Sequence, residues 1–314
     1  MRKMGMLRIV LIMALGASFM GDGAKASPDQ AQSVLQQVAN RYQAAPVNAH
    51  IDPVWQLIPA LNGARLDRKR TLARWNKKDP QASLLTFEQL PPTIATETMI
   101  APIYRGHPSK RQMALMFNVA WGEEYLPKIL ATLKQRQVKA TFFIDGKWAA
   151  VHQKELRDVV DAGMELGNHG YGHRLFGRLT KAQMHTDIAK TNAIVHAKVG
   201  VAPVLFAPPA GDYNATSVQV AAQLGMKTVL WTVDTIDWKR PPSEVITARV
   251  VKKKTPGALV LMHPTAPTAK ALAALIENLQ KDGYRLVSVS DLISPTRPLP
   301  KTVKEALVGL RSQP

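Results

Sequence analysis

One stretch of the sequence, Leu166-Gly167-Asn168-His169-Gly170-Tyr171-Gly172-His173, holds two histidines four residues apart, each next to a glycine. Histidine is the most common metal ligand in proteins, and glycine lets the backbone approach a bound ion closely. The same pair also fits a loop in which both imidazoles bond to backbone groups. Which interpretation holds depends on where this stretch lies in the fold.

Apolar, strand-like runs alternate with helix-period segments on both sides of this stretch. The predicted strands are Met113–Phe117, Ala140–Ile144, Met164–Leu166, Val204–Ala207, Thr228–Thr232, Ala258–Met262 and Arg285–Val289. The predicted helices are Tyr125–Arg136, Gln153–Ala162, Lys181–Val199, Asn214–Leu224, Ser243–Lys254 and Thr268–Lys281. Such regular alternation indicates a parallel α/β sheet. A doubly wound sheet and a barrel share the pattern, so periodicity alone leaves both open.

Polar and aromatic residues follow several of the predicted strands directly. They are Asn118 and Trp121 after the first strand, His169 and His173 after the third, Tyr213 after the fourth, Asp234, Asp237 and Trp238 after the fifth, and His263 after the sixth. Ligand sites of parallel β/α folds lie at the carboxyl ends of strands. Singly, each aspartate also fits a turn cap and each tryptophan a core position. Together they predict one site, because a core gives no reason to gather His, Asp and Trp at the same strand ends.

The first 26 residues have the features of a secretory signal. Arg2, Lys3 and Arg8 form a basic end, an apolar run follows at Ile9–Met20, and Ala24-Lys25-Ala26 fits a cleavage site. The apolar run is short for a membrane span, which favours cleavage over retention as an N-terminal anchor. The chain is therefore expected to be exported to the wall, the membrane surface or a spore envelope. It contains no cysteine, which excludes disulfides and thiolate metal sites.

The chain is strongly basic, with a formal net charge of +18. Residues 1–26 carry four Lys or Arg and one acid, so cleavage after residue 26 leaves +15. A charge of this size favours anionic partners, and for an exported protein these are wall polymers or acidic lipid headgroups. A solvated basic surface without a partner is the simpler alternative. No pattern of interleaved aromatic and basic residues suggests nucleic acid.

Residues 27–108 do not show the regular strand–helix alternation of the main part of the chain. Gln30–Ala45 is expected to be helical, and Pro46–Ile94 is expected to form a small α+β unit. Pro102–Pro108 is predicted to be a connector on which His107 is solvated. The predicted division is thus a small N-terminal module with its connector at 27–108, a main domain at 109–293 and a tail at 294–314.

From about Arg111 to Ile293 the chain resembles the polysaccharide deacetylases of the NodB-homology type. Five ordered motifs carry the resemblance, namely Ala114-Leu115-Met116-Phe117-Asn118, Asn168-His169-x-x-x-His173, Pro208-Pro209-x-Gly211, Asp234-x-x-Asp237-Trp238 and Leu261-Met262-His263-Pro264. The resemblance implies an α/β fold, an irregular (β/α)7 barrel, preceded here by the small α+β module. The Phe-Asn-Val-Ala-Trp-Gly form of the first motif resembles a sporulation-associated branch from spore-forming bacteria.

The family removes acetyl groups from N-acetylated sugars of chitin or peptidoglycan, using a divalent metal that is often zinc. The resemblance implies that His169 and His173 bind the metal and that His263 is the general acid. It further implies that Asp234 or Asp237 orients His263; the sequence does not distinguish them. The resemblance assigns substrate contacts to the backbone near Ala210 and to the side chains of Trp238, Tyr213 and Trp121.

The first motif departs from the family pattern. Asn118 and Val119 replace two aspartates, the general base and a metal ligand, and Ala207 replaces an arginine that pairs with the base. In one hypothesis the protein still hydrolyses N-acetyl groups of a wall glycan, with Glu123 or Glu124 as substitute carboxylate, although both also suit the start of the next helix. In a second, it is a degenerate deacetylase that binds glycan or a spore partner without turnover. In a third, it is a secreted structural protein held by its charge.

Overall fold

The computed structural model describes residues 27–311. The predicted signal peptide, residues 1–26, lies outside the described residues. Within the described part, no helix is both long and apolar enough to cross a membrane. The described residues form two compact units: residues 27–45, 63–90 and 298–311 make up the smaller unit, and residues 46–62 and 91–297 the larger.

Strands and helices are numbered here in chain order. The strands are β1 (His50–Asp52), β2 (Gln56–Ile58), β3 (Gly63–Leu66), β4 (Phe87–Leu90), β5 (Gln112–Val119), β6 (Thr141–Ile144), β7 (Glu165–Asn168), β8 (Leu205–Phe206), β9 (Lys227–Thr228), β10 (Val233–Asp234), β11 (Leu259–Met262) and β12 (Arg285–Leu286). The helices are α1 (Pro28–Tyr42), α2 (Arg68–Ala73), α3 (Leu126–Gln135), α4 (Gly146–Val151), α5 (Gln153–Asp161), α6 (Lys181–Val199), α7 (Ala215–Gln223), α8 (Ser243–Lys253), α9 (Ala266–Lys281), α10 (Val289–Ile293) and α11 (Val303–Arg311). The six helices predicted from the sequence are α3 and α5–α9.

The smaller unit is an α+β arrangement around its own apolar core. A capping box between Ser27 and Gln30 begins α1, and β3 pairs antiparallel with β4. The core joins one face of α1 to β3, α11 and the segment before β4; its buried members include Val34, Leu35, Val38, Leu66, Leu85, Val303 and Ala306.

The division into units differs from the predicted boundaries. Residues 46–62 belong with the larger unit because their backbone bonds to the later segment: Leu57 N–H donates to Pro102 O, and Ala49 N–H donates to Ile94 O. The C-terminal residues 298–311 belong with the smaller unit. Such pairings join positions tens of residues apart, and local sequence pattern does not reveal them.

The larger unit is built on a curled, mainly parallel sheet surrounded by helices. Its strands follow the order β10-β11-β5-β6-β7-β8-β9, and β12 pairs with the start of β5. Along β5, Met113, Leu115 and Phe117 pack with α3 and α9, whereas Ala114 and Met116 pack with β6, β8 and β11 on the other face. Burial on both faces is typical of parallel sheets. The predicted α/β barrel fold is confirmed.

The predicted fifth strand is divided in two by the connector. Ile103 N–H donates to Thr228 O, and Leu230 N–H donates to Ile103 O, so the connector pairs with residues that were predicted to belong to the fifth strand, 228–232. Arg105 then bridges to Ala258 at the start of β11. Residues 103–106 therefore complete part of the barrel wall.

His107, predicted to be solvated, is instead buried, with 5% of its surface exposed. Its Nδ1 accepts a hydrogen bond from the backbone N–H of Ser109 at 3.1 Å. Burial, together with the nearby cations Arg297 and Lys110, lowers the pKa of His107 to about 4. The imidazole is therefore neutral in the folded protein at physiological pH.

Replacing His107 by glutamine is expected to reduce destabilisation by acid. The pKa of a histidine is about 6.5 in an unfolded chain, against about 4 for folded His107. Between these values the unfolded chain binds the additional proton, so stability falls as the pH drops through the window. From pH 6.5 to 4.5 the unmodified protein should lose about 2 kcal/mol more unfolding free energy than His107→Gln. Urea denaturation at each pH measures this, with His185→Gln, an exposed histidine on α6, as control. Equal losses of unfolding free energy in the unmodified protein, His107→Gln and His185→Gln would show that His107 does not titrate as a buried group.

Candidate active site

The register of the parallel strands brings the predicted site residues to one edge of the sheet. Asn118 lies opposite Phe143, and Asn168 lies opposite both Ile144 and Phe206. β10 pairs in parallel with β11, and β11 pairs in parallel with β5, so the carboxyl ends of these strands lie at the same edge. The loops that follow β5, β6, β7, β8, β10 and β11 therefore start at a common edge, as predicted for a β/α fold.

His169 is buried and has a fixed tautomer. Its Nδ1 lies 2.7 Å from Ala207 O, which can only accept, so Nδ1 carries the proton and Nε2 keeps a free lone pair. Burial, and then the neighbouring His173, lower the pKa of His169 to about 3. A neutral imidazole with an unprotonated Nε2 is the form that ligates a metal or accepts a hydrogen bond from a ligand.

His173 is exposed, and its ring centroid lies 5.3 Å from that of His169. Its backbone is left-handed, with φ of 54°, a conformation that is uncommon for residues other than glycine. The Asp145 carboxylate holds it there by accepting a hydrogen bond from His173 N–H at 2.8 Å. The other oxygen of Asp145 accepts from Lys147 N–H and Trp148 N–H at the start of α4.

Two further buried side chains hold the loop that carries the histidines. Asn168 Oδ1 accepts from Gly170 N–H at 2.7 Å, and its Nδ2 donates to Ile188 O. Asp187, on α6, accepts from Tyr171 N–H at 2.6 Å, and burial raises the pKa of Asp187 to about 6. Neither Asp145 nor Asp187 was among the site residues predicted from the sequence. Asp187 could have been found from the sequence, because it is an acidic residue on the apolar face of a predicted helix.

His263 and Asp237 form a second, fully connected element of the site. His263 Nδ1–H donates to Asp237 Oδ1 at 2.8 Å, and the His263 backbone N–H donates to Oδ2 at 2.7 Å. The Thr268 hydroxyl donates to the same Oδ2 at 2.6 Å. Asp237 is fully buried, and its carboxylate fixes the imidazole with Nε2 free.

The structure shows which of the two candidate aspartates orients His263. Asp234 Oδ1 accepts a hydrogen bond from Ile236 N–H, two residues on, at 2.7 Å. That geometry is a local turn, whereas Asp237 contacts His263 directly. Asp237 is therefore the residue that orients the imidazole, and Asp234 shapes the loop before it.

The first motif offers no carboxylate to this site. Asn118 is buried, and its Oδ1 has no hydrogen-bond partner. Val119 is fully buried in the apolar cluster under the helices. Glu123 is engaged elsewhere: Trp148 Nε1–H donates to its Oε2 at 3.2 Å, and His152 Nε2 lies 3.6 Å from its Oε1.

Two tryptophans present exposed ring surface beside His263 and Asp237. Trp121 is 39% exposed and stacks on the His263 imidazole, with ring centroids 5.8 Å apart and planes within 5°. Gly122 allows this placement, because a Cβ at that position would lie 2.1 Å from Pro264 O. Trp238 is 50% exposed. Both can pack against the apolar face of a ligand.

The loop after β8 carries the remaining predicted substrate contacts. Ala210 has a left-handed backbone, with φ of 55°, within the turn Pro209–Gly211. The Tyr213 hydroxyl lies 2.9 Å from that of Tyr104, which ties this loop to the connector. The substrate contact assigned to the backbone near Ala210 stays a prediction.

Comparison with known proteins agrees with this geometry. Residues 105–229 match the polysaccharide deacetylase family. The chain is 31% identical over 199 residues to a peptidoglycan-N-acetylglucosamine deacetylase of Bacillus cereus, covering 62% of this chain and 72% of that protein. It is also 40% identical over 279 residues to the uncharacterized protein YlxY of Bacillus subtilis, covering 87% of this chain and 86% of that protein. A CE4 family pseudoenzyme from Bacillus anthracis superimposes with a TM-score of 0.79 at 40% identity, over 85% of this chain and 96% of that one.

The chain belongs to the polysaccharide deacetylase family.

Deacetylases of this family depend in general on a divalent metal. In this family member His169 and His173 are the predicted nitrogen donors, with ring centroids 5.3 Å apart, and Val119 stands where the carboxylate ligand is expected. Nowhere in residues 27–311 do three His, Cys, Asp or Glu side chains converge in a group that could hold a metal. The residues present therefore do not fit a three-ligand catalytic metal, and neither Glu123 nor Glu124 replaces the missing one.

Proposed function

We propose that this polysaccharide deacetylase family member binds N-acetylated wall glycan without efficient hydrolysis. The observation that carries the proposal is the composition of the site edge. The carboxylates needed to activate water are replaced by Asn118 and Val119, while the His263–Asp237 pair and the exposed rings of Trp121 and Trp238 are kept. Loss of a general base typically costs about 10²- to 10⁴-fold in rate.

The similar proteins support both parts of the proposal. The Bacillus cereus relative is a deacetylase of peptidoglycan N-acetylglucosamine, which suggests the substrate class. The Bacillus anthracis protein is a pseudoenzyme, and a mutant of it has restored enzymatic activity. Because the related deacetylases act on peptidoglycan, we also infer that this protein acts outside the cytoplasm.

Binding would use the groups that the structure leaves free. The unprotonated Nε2 of His169 can accept hydrogen bonds from sugar hydroxyl or acetamido N–H groups, and the Nε2 of His263, on the ring that Asp237 orients, can also meet a polar group of the sugar. The rings of Trp121 and Trp238 can cover apolar sugar faces. The alternative to binding without turnover is hydrolysis, which the intact His263–Asp237 pair favours.

We expect the purified protein to co-sediment with peptidoglycan and to release no acetate above background from it or from N-acetylglucosamine oligomers. Replacing Trp121 and Trp238 together by alanine should weaken binding at least about ten-fold, because two aromatic anchors are lost. Val204→Ala, which changes an exposed apolar residue just before β8, is the control and should bind normally. Acetate release that disappears in His169→Ala would support the hydrolytic alternative. If the protein neither binds peptidoglycan nor releases acetate, both glycan binding and hydrolysis are excluded.

A further inference from the structure

The smaller unit carries a concentrated basic surface at residues 68–78. This stretch holds six cationic side chains and no acidic one. All six are exposed: Arg68, Lys69, Arg70, Arg74, Lys77 and Lys78. The described part of the unit has eleven Lys or Arg and five Asp or Glu, so over half of its cations lie within eleven residues.

The cationic side chains of α2 are exposed, whereas the helix itself is anchored to the unit. Thr71 is buried and its Oγ1 accepts from Thr86 N–H at 3.1 Å. Leu72 and Trp75 pack against the apolar core of the unit. Asp67 caps the helix by accepting from Arg70 N–H at 2.9 Å. The backbone of α2 is therefore fixed to the unit, and its cationic side chains extend into solvent.

The turn after the helix is fixed as well. Asn76 Oδ1 accepts hydrogen bonds from Lys78 N–H at 3.0 Å and from Asp79 N–H at 3.1 Å. The Asn76 backbone N–H donates to Ser83 Oγ at 2.9 Å. These contacts hold Lys77 and Lys78 next to the helix, so the turn extends the same basic surface.

Little of this charge is neutralised within the protein. Arg70 Nε lies 3.4 Å from Asp67 Oδ2, an exposed pair that contributes little. Arg68 donates to the neutral Gln36 Oε1. The other four, Lys69, Arg74, Lys77 and Lys78, form no side-chain ion pair or hydrogen bond with residues 27–311. Uncompensated like charges this close together create a local positive potential that attracts a polyanion.

We propose that residues 68–78 bind a linear phosphodiester polymer through its successive phosphates. Contact with a membrane surface is less consistent with the patch, because none of the large exposed apolar side chains of the described chain lies within it. Single-stranded nucleic acid is less consistent too, because base stacking needs an exposed ring and Trp75 packs against the core. What the surface offers is charge alone, which suits a chain of phosphates without bases.

The probe is a synthetic poly(glycerol phosphate) chain, titrated into the full-length protein at several salt concentrations. Four contacted phosphates should give a slope of log K against log[salt] of about −3, since each contributes about −0.7. Replacing Lys69, Arg74, Lys77 and Lys78 by glutamine should weaken binding at 50 mM salt at least about 30-fold and remove most of the slope. The fold should persist because all four side chains are exposed, and circular dichroism checks this.

The control replaces four exposed lysines of the larger unit, Lys252, Lys253, Lys270 and Lys281, by glutamine. It has the same net charge as the test variant and should bind within about three-fold of the unmodified protein. Equal weakening in both variants would overturn the proposal in favour of net charge alone. Tighter binding to single-stranded DNA, or binding only to vesicles with 30% phosphatidylglycerol, would overturn the assigned partner.

Discussion

Asn118→Asp alone is expected to raise acetate release from N-acetylglucosamine oligomers by less than about ten-fold, although an aspartate is the family's general base. The Asn118 Oδ1 atom is buried and has no hydrogen-bond donor. A carboxylate in its place would lose solvent without gaining a cation, because Ala207 occupies the position of the family's arginine. Its charged form would be disfavoured. No third donor would join His169 and His173 either.

The combined variant Asn118→Asp, Val119→Asp and Ala207→Arg should release acetate at least about 10²-fold above background, because base, cation and third metal donor return together. Zinc should be bound stoichiometrically and a chelator should abolish the gain. Zinc should also raise the melting temperature of the combined variant, because it binds only the folded state.

Val119→Asp alone is the matched control for this experiment. It buries a carboxylate in the apolar cluster under the helices, so it should lower the melting temperature without supplying a base. A large gain from Asn118→Asp alone would show that the first motif is not what limits turnover. Failure of the combined variant to bind zinc would show that the loop cannot bring residue 119 to the histidines.

The sequence was sufficient for the elements that repeat a local pattern. Strand–helix alternation, followed by five ordered motifs, led to the barrel and to the edge where His169, His173 and His263 lie. Strand ends were informative because register in a parallel sheet places them at one level. The location of the site therefore followed from local pattern, although its hydrogen bonds did not.

The remaining features depend on contacts between distant parts of the chain. Asp145 contacts His173 across 28 positions, and Ile103 pairs with residues near 228. A single sequence gives no indication of such pairs, since an aspartate before a helix is explained by capping alone. The choice between Asp234 and Asp237 was open for the same reason: both are acids after a strand, and only three-dimensional contact with His263 separates them.

That difference predicts unequal costs for removing the two aspartates. Asp237→Ala is expected to lower the free energy of unfolding by about 3–5 kcal/mol. It deprives His263 Nδ1–H, His263 N–H and the Thr268 hydroxyl of one shared acceptor, and Asp237 is fully buried. Asp234→Ala should cost about 0.5–1 kcal/mol, because it removes one hydrogen bond in a partly exposed turn.

Urea denaturation of both variants measures the difference, and the ring nitrogen shifts of His263 report its cause. In Asp237→Ala the imidazole should lose its fixed Nδ1–H tautomer, whereas in Asp234→Ala it should keep it, because the Asp237–His263 contact is untouched. Thr268→Val should fall between them, since it removes one of three donors to the carboxylate and leaves the imidazole bound. Equal costs for the two aspartates would mean that the buried carboxylate does not organise this side of the site. In that case the packing of Trp121 on His263 would determine the shape of the groove.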